Sequence, residues 1–234
     1  MSNADAEQNV RGEIELHGSS VGTLRLPITM GCPETCAVLK VRTHAGLAGF
    51  PQATVELRPT KENPELINLA SEDRVTIKLW RNDEQPNTVF CGEVGDIQLS
   101  RDKDRGPRMI VNALSPFWRL GACVLEQETV KDCNSLRELF QRILDVCGIW
   151  GRAKCDDDVD DVAGIVLVKR FPALAVVKSI LLNKELVYSC NVGDVLRLAN
   201  RKTMLKRPTN LPTITDDDVE SWSIQYRNPP GRKP

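Results

Sequence analysis

Apolar and polar residues alternate with a period of two through most of the first half of the chain. The pattern is visible in Glu13-Ile14-Glu15-Leu16-His17, in Thr23-Leu24-Arg25-Leu26, in Leu39-Lys40-Val41 and in Ala53-Thr54-Val55-Glu56-Leu57-Arg58. It predicts short strands with one face buried and the other wet. After a loop from Pro59 to Pro64, the run Arg74–Trp80 puts Val75, Ile77 and Leu79 on one face. Residues 81–87 are turn formers, and Val89–Val94 and Ile97–Leu99 then continue as strand. Gly92 within that run marks a bulge or a close approach of two backbones. A turn over Arg101–Pro107 leads into Arg108–Leu114. About seven short strands separated by turn signals predict a closed antiparallel barrel or a sandwich, since closure removes edges that would pair with other chains.

The second half changes period. Asn134 or Ser135 is placed to cap a helix whose apolar positions are Leu136, Leu139, Phe140, Ile143, Leu144 and Cys147, with Gly148 set to end it. Burying its five large apolar side chains contributes roughly 1.5–3 kcal/mol each before entropy costs, so this helix must pack on something. Cys155–Asp161 reads as an acidic loop, and Gly164–Val168 as a short apolar strand. Pro172 suits the first turn of a second helix, Ala173–Leu182, whose inward face carries Leu174, Val177, Ile180 and Leu181 and which Asn183 ends. Glu185–Cys190 and Val195–Ala199 flank Asn191–Asp194 as a hairpin. Beyond a linker punctuated by Pro208 and Pro212, Val219–Tyr226 alternates again, with Trp222, Ile224 and Tyr226 on one face. The expected division is an N-terminal arm over 1–11, a β-barrel over 12–120, a small α+β domain over 121–205, and a linker, returning strand and tail over 206–234. The fold class is thus mixed β and α+β.

Composition narrows the function. With 41% hydrophobic and 27% charged residues, the chain has the make-up of a globular protein rather than a disordered one. A net charge of −1 provides no long-range pull on nucleic acid. No stretch approaches the roughly 18 consecutive apolar residues of a membrane helix, and the polar start MSNADAEQNVRGE lacks the apolar core of a signal peptide. A reducing cytosol is therefore the expected place of synthesis, and the eight cysteines are expected to be free thiols.

Candidate chemistry is sparse. Only Cys32 and Cys36 lie close together, as C-x3-C, while His17 and His44 are too far apart to complete a zinc set. A metal scaffold built on Cys32 and Cys36 with distant cysteines is the weaker alternative to buried apolar thiols. The acidic run has Asp161 where a calcium loop needs glycine. No nucleophile elbow, phosphate loop, dinucleotide fingerprint or H-E-x-x-H is present. Paired carboxylates leave no spacing signal, which keeps a cell-wall hydrolase or a carbohydrate-binding module open as the enzymatic alternative. No catalytic residue, cofactor or metal ligand is assigned. Trp80, Trp118 and Trp222, with Ile224 and Tyr226, are expected to be packing or subunit-interface residues.

The order of elements resembles a known family. Phe90-Cys91-Gly92-Glu93-Val94-Gly95-Asp96-Ile97 is similar to the F-x-G-x-V strand of bacteriophage tail baseplate hubs. Val111–Leu120, the helix Ser135–Ile149, the helix and hairpin over Pro172–Asn200 and the acidic return Asp216–Trp222 follow in that family's order, over roughly residues 20 to 227. The same fold begins the valine–glycine-repeat spike proteins of type VI secretion, so a type VI spike hub fragment is the second alternative that the resemblance implies. The resemblance implies a non-enzymatic structural protein of a virion tail baseplate, made in the host bacterial cytoplasm. It also implies self-association into a trimeric or hexameric ring between a tail tube protein and a central spike protein. The family carries two barrels per chain. Here one barrel is expected over 12–115 and a single strand after residue 212. A shortened hub, the first part of a longer product, and completion of the ring by Ser221–Arg227 from another copy are the three ways to supply the second.

Overall fold

The computed structural model describes residues 10–29, 36–44, 50–81, 85–102, 106–126, 133–156, 159, 170–190 and 192–204. Residues 205–234 group as a unit of their own and lie outside the described residues, as do Gly164–Val168, Cys32 and most of the acidic run after Asp156.

Seven strands form one antiparallel sheet: β1 (Val10–Gly18), β2 (Gly22–Thr29), β3 (Val38–His44), β4 (Gln52–Leu57), β5 (Arg74–Arg81), β6 (Asn87–Asp102) and β7 (Gly106–Leu114). Their spatial order is β2-β1-β5-β6-β7-β4-β3. A meander of β5, β6 and β7 is thus flanked by two hairpins, each of which pairs through one of its arms. Alternation decides which side chains go in. On β4 they are Ala53, Val55 and Leu57, on β7 Met109, Val111 and Ala113, and on β5 Val75 and Ile77. Leu66, from a short 310 helix over Pro64–Asn68, is fully buried in the same core.

The sheet curls into a half-barrel. β2 and β3 come into contact at the open side without becoming hydrogen-bonded neighbours, so the closure expected from the strand count is incomplete. The stretches Val89–Val94 and Ile97–Leu99, expected to continue as strand, lie in one strand of 16 residues. Its irregularity falls at Gly95, where the pairing with β7 skips one residue between Val94 and Asp96. Gly92 is instead the close approach: a Cβ there would run into the Leu114 carbonyl oxygen and the Phe90 ring.

The second body has its own core, built on α1 (Leu136–Val146) and α2 (Ala173–Asn183). The capping of α1 is local and complete. Ser135 Oγ accepts from Glu138 N–H at 3.1 Å, and the Glu138 carboxylate accepts from Asn134 N–H at 2.9 Å. At the other end Gly148 has φ +64°, with Ile149 N–H donating to Leu144 O at 2.9 Å and Gly148 N–H to Asp145 O at 3.0 Å. That is the paired bonding of a Schellman stop. Leu136, Leu139, Phe140, Ile143 and Leu144 are buried as the stripe requires, and Cys147 is half-buried. On α2, Pro172 caps the helix rather than opening it, and Val176 is buried where Leu174 was expected.

A three-stranded sheet completes this body. β11 (Leu186–Ser189) and β12 (Val195–Asn200) form the expected hairpin, and β9 (Arg152–Cys155) runs parallel to β12. On β9, Ala153 N–H donates to Gln141 Oε1 at 3.1 Å, while Gln141 Nε2 donates to Gly151 O at 3.4 Å. The Gln141 amide therefore stands beside the strand as a surrogate neighbour. A minimal pair, β8 (Val124–Leu125) with β10 (Phe171–Pro172), and a last turn α3 (Arg201–Met204) fill out the body.

Candidate functional site

Of the residues singled out from the sequence, Trp80 and Trp118 lie among those described. Trp80 is half-buried near the end of β5, opposite Arg11 on β1. Trp118 is 40% exposed on a 310 helix over Pro116–Gly121, with the Arg119 guanidinium 5.8 Å from its ring. Trp222, Ile224 and Tyr226 lie outside the described residues.

What the chain does bring together is a joint between its two bodies. Its centre is Glu93 on β6, which is only 3% exposed. Trp150 Nε1–H donates to Glu93 Oε1 at 2.6 Å, and Arg119 Nε–H donates to Glu93 Oε2 at 3.0 Å. Arg119 also reaches Glu72 at 3.3 Å, and the Arg74 guanidinium lies 4.7 Å from the centre of the Trp150 ring. Partial burial works against the Arg119 charge, but the Glu93 bond and the two carboxylates outweigh it and hold its pKa above the ordinary value. A buried carboxylate with two donors, one of them cationic, is a fully used group.

Backbone contacts tie the same joint. Cys91 N–H on β6 donates to Val192 O at 2.6 Å, and Ser115 Oγ donates to Gly193 O at 2.8 Å. Gly193 has φ +114°, and a Cβ there would collide with the Cys91 carbonyl oxygen. Gly151 is equally tight, with its would-be Cβ 2.7 Å from the Phe117 ring and 2.9 Å from Asp194 O. Phe50, just before β4, stacks between Phe117 and Tyr188 at centroid distances of 5.9 and 5.7 Å. Backbone hydrogen bonds, an ion pair and an aromatic cluster thus join the half-barrel to the α+β body.

Three of the thiols are poor nucleophiles. Burial pushes Cys147 up to about 12, helped by the neighbouring Cys123 thiol, and pushes Cys190 up to about 11. Burial raises Cys91 as well. These thiols stay protonated at neutral pH, whereas nucleophilic attack needs a thiolate. His17 Nδ1 is spent on Thr23 Oγ1 at 2.9 Å. Among the described residues, no three or more His, Cys, Asp or Glu cluster as a metal set would require, and no helix is long and apolar enough to cross a membrane.

Surface features suited to assembly are plainer. Among the described residues the outer edges of β2 and β3, which touch each other, have no hydrogen-bonded strand neighbour. The β6–β7 hairpin extends its pairing to Asp102 and Gly106 and carries Leu99 at 68% exposure. On the second body Val124, Val146 and Phe171 are each about half exposed. Phe171 pairs with Leu125 beside Val124, and Cys123 Sγ is 4.0 Å from Val146 O. None of these was singled out from the sequence, because an apolar residue on an alternating strand or a helix end reads as core until its partner face is known.

No protein-family model matches the sequence, and no curated protein matches it. Solved structures do. The tail protein from Neisseria meningitidis MC58 superposes with a TM-score of 0.55 over 81% of this chain and 51% of its own, at 9% identity. The 43 kDa prophage MuSo2 tail protein from Shewanella oneidensis gives 0.49 over 81% and 53%, at 10% identity. A chain of the Francisella PdpA-VgrG complex gives 0.48 over 90% and 35%, at 9% identity. The first superposition gives this chain a tail-protein-like, baseplate-hub type of fold, as the element order implied. The chain spans about half the length of the two tail proteins it matches.

Proposed function

We propose that this chain is a structural hub protein of a phage tail baseplate, forming a ring that joins the tail tube to the central spike. The observation that carries the reading is the fold shared with the Neisseria meningitidis tail protein. The joint around Glu93 supports it, because a part that transmits load between two symmetric assemblies needs two bodies held in one orientation. The edges of β2 and β3, which have no hydrogen-bonded strand neighbour among the described residues, support lateral pairing, since such an edge accepts another strand through N–H and C=O groups that the sheet leaves unused.

In this reading Trp118 and the alternating trio Trp222, Ile224 and Tyr226 are interface residues between copies or with the tube and spike proteins. A half-barrel per described unit calls for six copies, or three with a second barrel supplied from elsewhere, to match a sixfold tube. The work of the protein is then done by shape, and its place is the virion tail.

Light scattering coupled to gel filtration tests the reading on the purified chain, alone and with a tail tube protein. A trimer, a hexamer, or a stoichiometric complex with the tube protein is the expected result. A monomer that binds neither tube nor spike protein overturns it.

A further inference from the structure

Beside the joint, a cleft of about 400 Å3 opens between β5–β6 of the large sheet and β9–β12 of the small one. Its lining is cationic and hydroxyl-bearing. Arg152 and Lys154 come from β9 and Arg197 from β12, against the single carboxylate of Asp194. Asp156 accepts from Arg197 Nε and Nη2, each at 2.9 Å, which fixes that guanidinium at the cleft wall. Arg152 and Lys154 have no side-chain partner among the described residues. Ser189, only 8% exposed, also lines the cleft, and its hydroxyl has no hydrogen-bond partner among the described residues. That hydroxyl is open to solvent and can donate to a ligand oxygen.

We infer that this cleft binds the carboxylate side chains of an extended, acidic polypeptide segment of a partner protein. Spacing favours a peptide over a compact anion. Arg152 and Lys154 are two residues apart on one strand, so their Cα atoms are about 7 Å apart. Alternate side chains of an extended segment repeat at the same interval, so two carboxylates can each meet one of the two cations. Arg197 stands directly across from Lys154 in the parallel pairing and extends the cationic surface sideways. The overall charge of −1 gives nucleic acid no general attraction that would compete. The inference stands on this lining and not on the ring reading.

The test is fluorescence anisotropy of a short labelled peptide of alternating glutamate and alanine with the full chain. The Arg152→Glu/Lys154→Glu variant should bind about tenfold more weakly, since two exposed ion pairs are replaced by repulsions. The charge-matched Lys61→Glu/Lys178→Glu variant, at exposed positions that do not line the cleft, should change affinity by less than about twofold. Ser189→Ala should weaken binding without altering its salt dependence. Thermal melting shows whether each variant is folded, and Arg152→Ala replaces the double reversal if that fails. No binding by the native chain overturns the inference, as does equal weakening by the two reversals. Displacement by inorganic phosphate well beyond that by chloride at matched ionic strength would make this a small-anion site and also overturn it.

Discussion

Trp150 Nε1–H and Glu93 Oε1 are 2.6 Å apart, although the two residues are separated by 57 positions and belong to different bodies of the molecule. Glu93 spends its other oxygen on Arg119. Replacing Glu93 with alanine strands a partly buried guanidinium and an indole donor, and should cost about 3 kcal/mol. Glu93→Gln keeps an acceptor and should cost about half of that. Urea unfolding followed by tryptophan fluorescence measures both. A shift of midpoint at constant slope is expected, and a double-mutant cycle with Arg119→Ala should show strong coupling.

Gly193 should resist substitution for a reason that Gly22 does not share. Both have positive φ, +114° and +64°, but a Cβ at Gly193 meets the Cys91 carbonyl whereas nothing lies within 4 Å of one at Gly22. Gly22→Ala carries only the left-handed backbone cost, about 1 kcal/mol. Gly193→Ala adds a collision with backbone and should cost about 3 kcal/mol or more. Melting temperatures of the two variants provide the comparison, and equal shifts would mean that the 192–194 loop is not seated on β6.

The contrast between α1 and this joint explains which parts of the molecule can be read from the chain. For α1, the apolar stripe, Ser135, Glu138 and Gly148 all act within a few residues, so its start, its buried face and its stop follow from local spacing. β9 offers no such signal. Its sequence Arg152-Ala153-Lys154-Cys155 carries one small buried side chain, and it is a strand because β12, some forty positions later, supplies a parallel partner. The strand number of the half-barrel follows from alternation, but whether β2 and β3 bond depends on the curl of the whole sheet. The Glu93 cluster is equally hidden, since Glu93, Arg119 and Trp150 have no sequence proximity. Trp150 is the tryptophan with the clearest role and was not among those singled out.

Two carboxylates should make the fold sensitive to acid. Glu15 is held below its ordinary value of 4.5, chiefly by the Lys78 hydrogen bond at 2.9 Å. Glu138 shifts the same way, chiefly through the Asn134 backbone N–H. A group whose pKa is lower in the folded state contributes its full stability above the unfolded value and loses it as pH falls through the folded one. Stability should therefore decline as pH drops below about 4.5, and Glu15→Gln should flatten the decline. Ser135→Ala, which removes the reciprocal cap, should cost about 1 kcal/mol at neutral pH.

At the alkaline end the sign reverses. Cys147 moves from an ordinary 9.0 to about 12, first through burial and then through Cys123. Its contribution is complete below pH 9.0 and is lost as pH rises towards 12, because the unfolded thiol ionises first. Chemical denaturation across that range should show falling stability, and Cys147→Ala should reduce the slope. Iodoacetamide at neutral pH should label native Cys147 and Cys190 slowly and the urea-unfolded chain quickly. Fast labelling of native Cys147 or Cys190 would contradict the protonated state of these two thiols.

Leu99 and Phe171 separate assembly from folding. They are 68% and 51% exposed, on the β6–β7 hairpin and on β10 respectively. Neither is needed to fill a core, so Leu99→Asp and Phe171→Asp should each leave the unfolding free energy within about 0.5 kcal/mol of the native value. An apolar side chain at the centre of an interface behaves differently, since its replacement by a charge commonly weakens association by about 2 kcal/mol or more. If the chain forms a ring, at least one of these variants should run as a smaller species by light scattering while melting at the native temperature. If both assemble like the native chain, the contacts run through the β2 and β3 edges instead, and substitutions along those strands become the ones that dissociate the ring.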